Sequence, residues 1–319
     1  MPSPPPPTRP HRLATIDLGS NTVRYLCVDI DATGGWLAVD QAQRVTRLGE
    51  GMAASGHLGA AAMARPAAAV AEYVERARRL GAGEVRVVAT SAIREAANGS
   101  EFAAAVEHAT GFAVRIVSGE EEARLTVRGV LHGLRDLAEP VLVCDIGGGS
   151  TEYVLWRSGG VATAISLRLG VVPLSERYPF PGPVEWRRYG DMSREIRDRL
   201  GRELPPSLTG AVLGTLVGTA GTMTTLAALD LGLGDYDAGR VQGHRLTRAA
   251  IEVQLWRLGA LSLKGRATLP CLEPGRADLI VPGIAIVTAT IDRLGVAELV
   301  VSDWSLREGI VVEFVERGC

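Results

Sequence analysis

Two segments of the chain repeat one pattern: Asp17-Leu-Gly-Ser-Asn-Thr22 and Asp145-Ile-Gly-Gly-Gly-Ser-Thr151 each end an apolar run on an aspartate, turn on glycine and restart on a hydroxyl. Leu13–Asp17 and Thr22–Ile30 read as strands flanking the first turn, and Ala32-Thr-Gly-Gly35 leads into a third strand near Trp36–Gln43. The same order recurs in Pro140–Asp145, Thr151–Trp156, a Ser-Gly-Gly turn at 158–160, and Val161–Arg168. A β-meander that recurs after about 130 residues predicts duplicated halves.

Between the copies, helical spacing marks a long helix over Gly59–Leu80, which Pro66 can delay or kink. Val85–Thr90 and Ala113–Val117 read as strands. Ser100 is expected to cap a helix that Gly111 ends, and Glu120–His132 forms the helix entering the second half. Further helices are expected at Trp186–Leu204, Thr222–Leu231, 247–260, 277–294 and 304–316, with strands at Leu213–Gly218 and 297–302. Alternating strands and helices imply an α/β protein with mixed sheets.

At 319 residues the chain has room for two domains, each with its own core. Residues 2–10 are rich in proline, which removes donors and fixes φ, so a disordered leader is expected over residues 1–11. No apolar run approaches the roughly 20 residues of a membrane helix, and the proline-rich start does not resemble a signal peptide. The expected location is therefore cytoplasmic. A net charge of −2 argues against nucleic acid or a membrane surface as a general partner. The cysteines Cys27, Cys144, Cys271 and Cys319 are far apart and are read as buried thiols, and the five histidines show no metal-ligand spacing. Lys264 is the only lysine and lies in Ser-Leu-Lys-Gly-Arg, so there is no Gly-Lys-Ser/Thr P-loop and no protein-kinase lysine.

The turns carry chemistry of their own. Glycines let consecutive N–H groups converge on phosphate oxygens, hydroxyls add donors, and an aspartate at a strand end can hold Mg²⁺ or its water shell. On this ground Asp17 and Asp145 are candidate metal holders. One such turn is weak evidence, because Asp-Gly turns are common hairpin connectors. Two copies, with a third glycine turn at Gly218–Thr222 that adds Gly221 and Thr222 as phosphate donors, make chance a poor account. Glu120 and Glu121 read as acids that complement a helix N-terminus. Glu122 differs because it lies on the segment crossing between the halves, and Glu152 would stand close to a phosphate held by the second turn. A carboxylate near a polyanion has its pKa raised, as a general base requires. Arg94, from position alone, reads equally well as a surface charge.

The ordered set Ile16-Asp-Leu-Gly-Ser-Asn-Thr22, Arg47-Leu-Gly-Glu-Gly51, Ala89-Thr-Ser-Ala-Ile-Arg94, Ser118-Gly-Glu-Glu-Glu-Ala-Arg124, Asp145-Ile-Gly-Gly-Gly-Ser-Thr-Glu152, Gly218-Thr-Ala-Gly-Thr222 and Ser302-Asp-Trp-Ser-Leu-Arg-Glu-Gly309 resembles the exopolyphosphatase and guanosine pentaphosphate phosphohydrolase (Ppx/GppA) family, over nearly everything after residue 12. The resemblance implies duplicated actin-like ATPase/ribonuclease H-like domains with an interdomain cleft. One comprises residues 12–122 plus 304–319 and the other residues 123–303. It also implies a hydrolase that frees terminal phosphate from inorganic polyphosphate or guanosine pentaphosphate. By that resemblance Glu122 is the base for the attacking water and Glu152 the second catalytic glutamate. Asp145 is metal-associated, with Mg²⁺ as the cofactor, and Asn21, Thr22, Arg94, Gly148 and Ser150 contact phosphate. A homodimer is entertained. Two departures bear on substrate: the chain ends at Cys319, without the extra helical domains of long family members, and Gln242 stands where the family often has histidine.

Two further readings compete. Asp29-Ile-Asp-Ala-Thr33 matches the Asp-x-Asp-x-Thr of aspartyl-phosphate phosphatases but lacks their downstream partners, so a polar hairpin is the better account. A nucleotide switch, kinase or regulatory binder of guanosine pentaphosphate or tetraphosphate on the same fold would need a nucleoside pocket near Gly218–Thr225.

Overall fold

The computed structural model describes residues 11–318. The expected leader and Cys319 lie outside the described residues, except that His11 already opens the first strand, paired with Ile30.

The first sheet contains β1 (His11–Leu18), β2 (Thr22–Ile30), β3 (Trp36–Val45), β4 (Glu84–Ala89) and β5 (Val114–Ile116), in the order β3-β2-β1-β4-β5. The helices α1 (Met52–Ser55), α2 (Ala60–Arg79), α3 (Ser91–Glu95) and α4 (Gly99–Thr110) belong to this lobe. Then α5 (Gly119–Gly133) leads to β6 (Val141–Ile146), β7 (Thr151–Arg157) and β8 (Gly160–Leu167), followed by α6 (Val171–Arg177), α7 (Trp186–Glu203), α8 (Pro206–Thr209), β9 (Thr215–Thr219), α9 (Ala220–Asp230) and α10 (Ala238–Val241). The chain closes with β10 (Arg245–Thr247), α11 (Arg248–Gly259), α12 (Leu263–Arg266), α13 (Ile280–Leu294), β11 (Glu298–Ser302) and α14 (Leu306–Glu316).

The second sheet runs β10-β11-β9-β6-β7-β8. Apart from β10, added antiparallel at one edge, it repeats the first sheet strand for strand: an antiparallel meander of three, then two strands parallel to the first. The expected duplication is thus real. The central strands β1 and β6 are apolar runs because both faces of each sheet are covered. The edge strand β3 carries Asp40, Gln41, Gln43 and Arg44, polar side chains that an edge tolerates.

Two local expectations fail. Pro66 lies inside α2 and does not delay it; the helix begins at Ala60, and only the donor to one carbonyl in the preceding turn is lost. Ser100 does not cap α4. The N-cap is Asn98, whose carboxamide is spent on the Leu58 backbone, accepting from its N–H at 2.8 Å and donating to its carbonyl at 2.9 Å. Gly111 does end that helix, in the left-handed region at φ 77°.

One close crossing sets the relation of the lobes. Helix α5 lies against β6, β7 and β8, while α14 lies against β1 and β2, and the two helices pack on each other. A Cβ at Gly309 would sit 1.8 Å from the Leu125 carbonyl oxygen, and one at Gly129 would sit 2.1 Å from that of Ser305, so only glycine permits this approach. No helix among the described residues is long and apolar enough to cross a membrane.

Candidate active site

Strand register makes the two Asp-led turns superimposable in role. Asp17 pairs with Arg24 across β1 and β2, and Asp145 pairs with Glu152 across β6 and β7. Both turns close on the same bond, Gly19 N–H to the Thr22 carbonyl at 3.1 Å and Gly147 N–H to the Ser150 carbonyl at 2.9 Å. The turns face each other so closely that a Cβ at Gly148 would come within 3.1 Å of the Asn21 backbone nitrogen. Thr90 and Ser91 at the start of α3, and Ala220 to Thr222 at the start of α9, complete the walls.

Nine of the sequence-predicted residues line this one cleft between the lobes: Asp17, Asn21, Thr22, Glu122, Asp145, Gly148, Ser150, Gly221 and Thr222. Two do not. Arg94 reaches Glu122 from behind, its Nη1 donating to Oε2 at 2.7 Å and to the Val117 carbonyl at 3.1 Å, so in this arrangement it holds a carboxylate and not a phosphate. Glu152 is 2% exposed, sits behind the second turn, and accepts a bond from the Ser166 hydroxyl at 2.7 Å.

Sequence reasoning missed two arginines that do line the cleft, Arg24 and Arg276. Arg24 could have been found by superposing the two turns, since it occupies the slot of Glu152. Arg276 carries no motif; it follows a short turn in Glu-Pro-Gly-Arg, and only its placement reveals it. Its Nη2 donates to the Thr22 hydroxyl at 3.1 Å, its buried Nε stands 3.3 Å from Glu273 Oε2 without forming a hydrogen bond, and burial pushes its pKa down to about 10. A desolvated cation lining the cleft is poised for an anion.

The carboxylates answer in kind. Burial pushes Asp17 up to about 7; Arg24 opposes the rise and Asp145 adds to it. Burial also raises Asp145, against the pull of Arg24 and a 3.4 Å hydrogen bond from the Thr126 hydroxyl. Glu122 is pushed up to about 7, because burial outweighs the Arg94 guanidinium and Asp145 and Asp17 repel it further. Glu152 is raised well above the ordinary range by burial, then by Glu122 and Asp145. Four carboxylates that resist ionising together form a centre short of positive charge.

That donor set fits a divalent cation. Asp17 and Asp145 offer hard oxygens at strand ends, and the buried Asn21 Oδ1 has no partner. Among the described residues no three His, Cys, Asp or Glu side chains converge as a complete metal cage. Mg²⁺ typically takes one or two carboxylates and completes its shell with water and phosphate oxygens, so a complete cage is not required.

The lobes are pinned around the cleft. Arg47, from the Arg47-Leu-Gly-Glu-Gly51 segment, holds Asp278 through two bonds of 2.6 and 3.2 Å, and Gly51 N–H donates to Glu176 at 2.8 Å. The aspartyl-phosphatase decoy is spent structurally: Asp29 pairs with Arg12, and Asp31 accepts from Thr33 and Gly35 to close a hairpin. Gln242 accepts from the Asp303 N–H at 2.6 Å, away from the two glycine turns. Cys27 and Cys144 are buried thiols as expected, while Cys271 is only partly buried.

Comparison with known proteins agrees with this geometry. Residues 27–317 match the Ppx/GppA phosphatase family. Exopolyphosphatase 2 of Mycobacterium tuberculosis is 35% identical over 316 residues, covering 94% of this chain and 98% of that protein. The crystal structure of the Ppx/GppA family member of Aquifex aeolicus superimposes with a TM-score of 0.80 at 32% identity, covering 96% of this chain and 98% of that one. An exopolyphosphatase from Cytophaga hutchinsonii shares the fold, with a TM-score of 0.89 at 22% identity over 96% of this chain and 98% of its own. With its duplicated actin-like lobes, its cleft of facing glycine turns and a match running almost end to end, the chain belongs to the Ppx/GppA phosphatase family.

Proposed function

We propose that this protein hydrolyses phosphoanhydrides, releasing the terminal phosphate of inorganic polyphosphate, and that guanosine pentaphosphate is an alternative substrate of the same cleft. The observation that carries the reading is Glu122: a carboxylate on the cleft wall, held at 2.7 Å by Arg94 and titrating at about 7, beside two glycine turns and two arginines. A base of that strength takes a proton from water near neutral pH.

The terminal phosphoryl group lies between the two turns, where backbone N–H groups and the hydroxyls of Thr22, Ser150 and Thr222 surround its oxygens. Arg24 and Arg276 neutralise the next phosphates. Glu122 orients a water and accepts its proton as the new P–O bond forms and the bridging P–O bond breaks. The shortened chain departs with the bridging oxygen. Glu152, pushed towards its neutral form by burial and then by Glu122 and Asp145, limits the negative charge behind Glu122. Asp145 and Asp17 would hold Mg²⁺, which when bound supplies charge to the phosphoryl oxygens. Because the transition state spreads its charge over those oxygens, positioning and neutralisation do most of the work.

The test is phosphate release from short polyphosphate, long polyphosphate and guanosine pentaphosphate, each with and without Mg²⁺. Release from at least one substrate in the presence of Mg²⁺ is expected, and silence on all three overturns the proposal.

A further inference from the structure

A second cavity, of about 420 Å³, shares no lining residue with the cleft of the glycine turns. Arg94, Glu95, Gly119, Glu120, Ser166 and Arg168 line it. Two of its lining side chains reach carboxylates of the active site. Arg94 faces the cavity and holds Glu122, and Ser166 faces the cavity and holds Glu152 at 2.7 Å.

Along this cavity runs a row of alternating charge. Glu122 meets Arg94 at 2.7 Å, Arg94 meets Glu95 at 3.9 Å, and Glu95 meets Arg168 of the other lobe at 3.3 Å. Side-chain exposure is 12% at Glu122 and 76% at Arg168. An arginine pairs with phosphate in the same bidentate fashion as with a carboxylate, so each guanidinium can exchange one for the other with little change in energy. The row therefore offers an anion successive partners from the reaction centre to solvent.

The opposite wall of the active cleft is also open. It continues past Arg24, Thr225, Leu272 and Arg276 into a cavity of about 560 Å³. If the reading of the cleft as a polyphosphate hydrolase holds, the uncut remainder of the chain occupies that side. The freed orthophosphate then lies between the remaining polymer and Arg94. With one opening, the polymer must let go after every cut.

We propose that orthophosphate leaves through the cavity between Arg94 and Arg168, by a route separate from the one the polymer occupies. Arg94 turns from Glu122 to the departing phosphate, passes it towards Arg168, and returns. The polymer can then stay bound between cuts.

Two substitutions at the outer end test this without touching the glycine turns or Glu122. Arg168→Glu reverses the outermost charge, and Glu120→Trp narrows the mouth from an exposed position at the start of α5. Cleavage of short polyphosphate with Mg²⁺ is followed by quenched flow, and free orthophosphate by a fluorescent phosphate sensor. In both variants the first cleavage should keep its wild-type rate while sensor-detected phosphate lags by about tenfold or more, the behaviour of a release-limited enzyme. In the wild type, orthophosphate should inhibit noncompetitively against polyphosphate. Cleavage and release traces that stay superimposed in both variants, whatever their common rate, overturn the separate exit. Absence of cleavage by the wild type in the quenched samples overturns the hydrolase reading itself, a distinguishable result.

Discussion

Glu122→Gln separates what this glutamate does for the reaction from what it costs the fold. The carboxyl goes from 4.5 to about 7 in the folded chain because burial outweighs its bond to Arg94. At about 1.4 kcal/mol per unit, ionising it in place costs on the order of 3 kcal/mol more than ionising it in the unfolded chain. The sign follows from the raised value. Below the unfolded pKa both states are protonated and stability is undiminished; as pH climbs through the folded value, that stability is lost. Glutamine keeps the shape and can still accept the bond from Arg94, but it is neutral at every pH. It also relieves Glu152, which Glu122 pushes upward. Urea unfolding of the variant and its parent should therefore coincide near pH 4, and near pH 8 the variant should be more stable by about 3 kcal/mol. Phosphate release by the variant should fall by about 10²-fold or more, and the parent's activity should rise with pH through about 7 as the base deprotonates. A stability gap that does not change with pH, or a variant weaker than its parent near pH 8, would refute the claim that Glu122 is a strained base.

Two other substitutions probe different parts of the argument. Arg276→Gln removes a buried cation from the cleft wall and should raise the KM for polyphosphate by roughly 10- to 100-fold, the worth of one or two charge-assisted hydrogen bonds, with a smaller change in kcat; steady-state kinetics showing an unaltered KM would take Arg276 out of substrate binding. Gly309→Ala places a Cβ 1.8 Å from the Leu125 carbonyl at the crossing of α5 and α14, so calorimetry should show a loss of about 1–3 kcal/mol or more, and a variant as stable as its parent would show that the helices part without cost.

The elements that could be read directly share one property: their signals are local. The meanders announce themselves because apolar strands alternate with glycine turns, and α2 and α5 because their apolar residues recur at helical spacing. The nine cleft residues were legible because they belong to contiguous motifs, folded as glycine turns or as the first turns of α5 and α9. What escaped depends on partners distant in sequence. The cap at Asn98 is decided by Leu58, and the burial of Arg276 by Thr22 on the other lobe. The orientation of Arg94 was ambiguous because a helix-start arginine can face solvent or a carboxylate; here Glu122, on a later helix, decides it. Helix α6 passed unseen since Val171–Arg177 is too short for periodicity to show.

Duplication explains the fold but not the chemistry, which arises where the copies diverge. In the slot seven residues after the aspartate, the first half carries Arg24 and the second Glu152. Had both halves kept an acid, Asp17, Asp145 and Glu122 would face a further carboxylate with Arg276 as the one remaining arginine on that wall, and a polyanion would be held less well. Had both kept arginine, a cation at position 152, which interacts with Glu122, would lower the pKa of Glu122 and weaken it as a base. The divergence instead polarises the cleft. Arg24 and Arg276 mark one wall as the place for phosphate, while burial, with Asp145 and Asp17 adding to it, holds the base Glu122 near neutrality. A symmetric pair of turns could grip a phosphate; the asymmetry in this one register position assigns one side to the substrate and the other to the water.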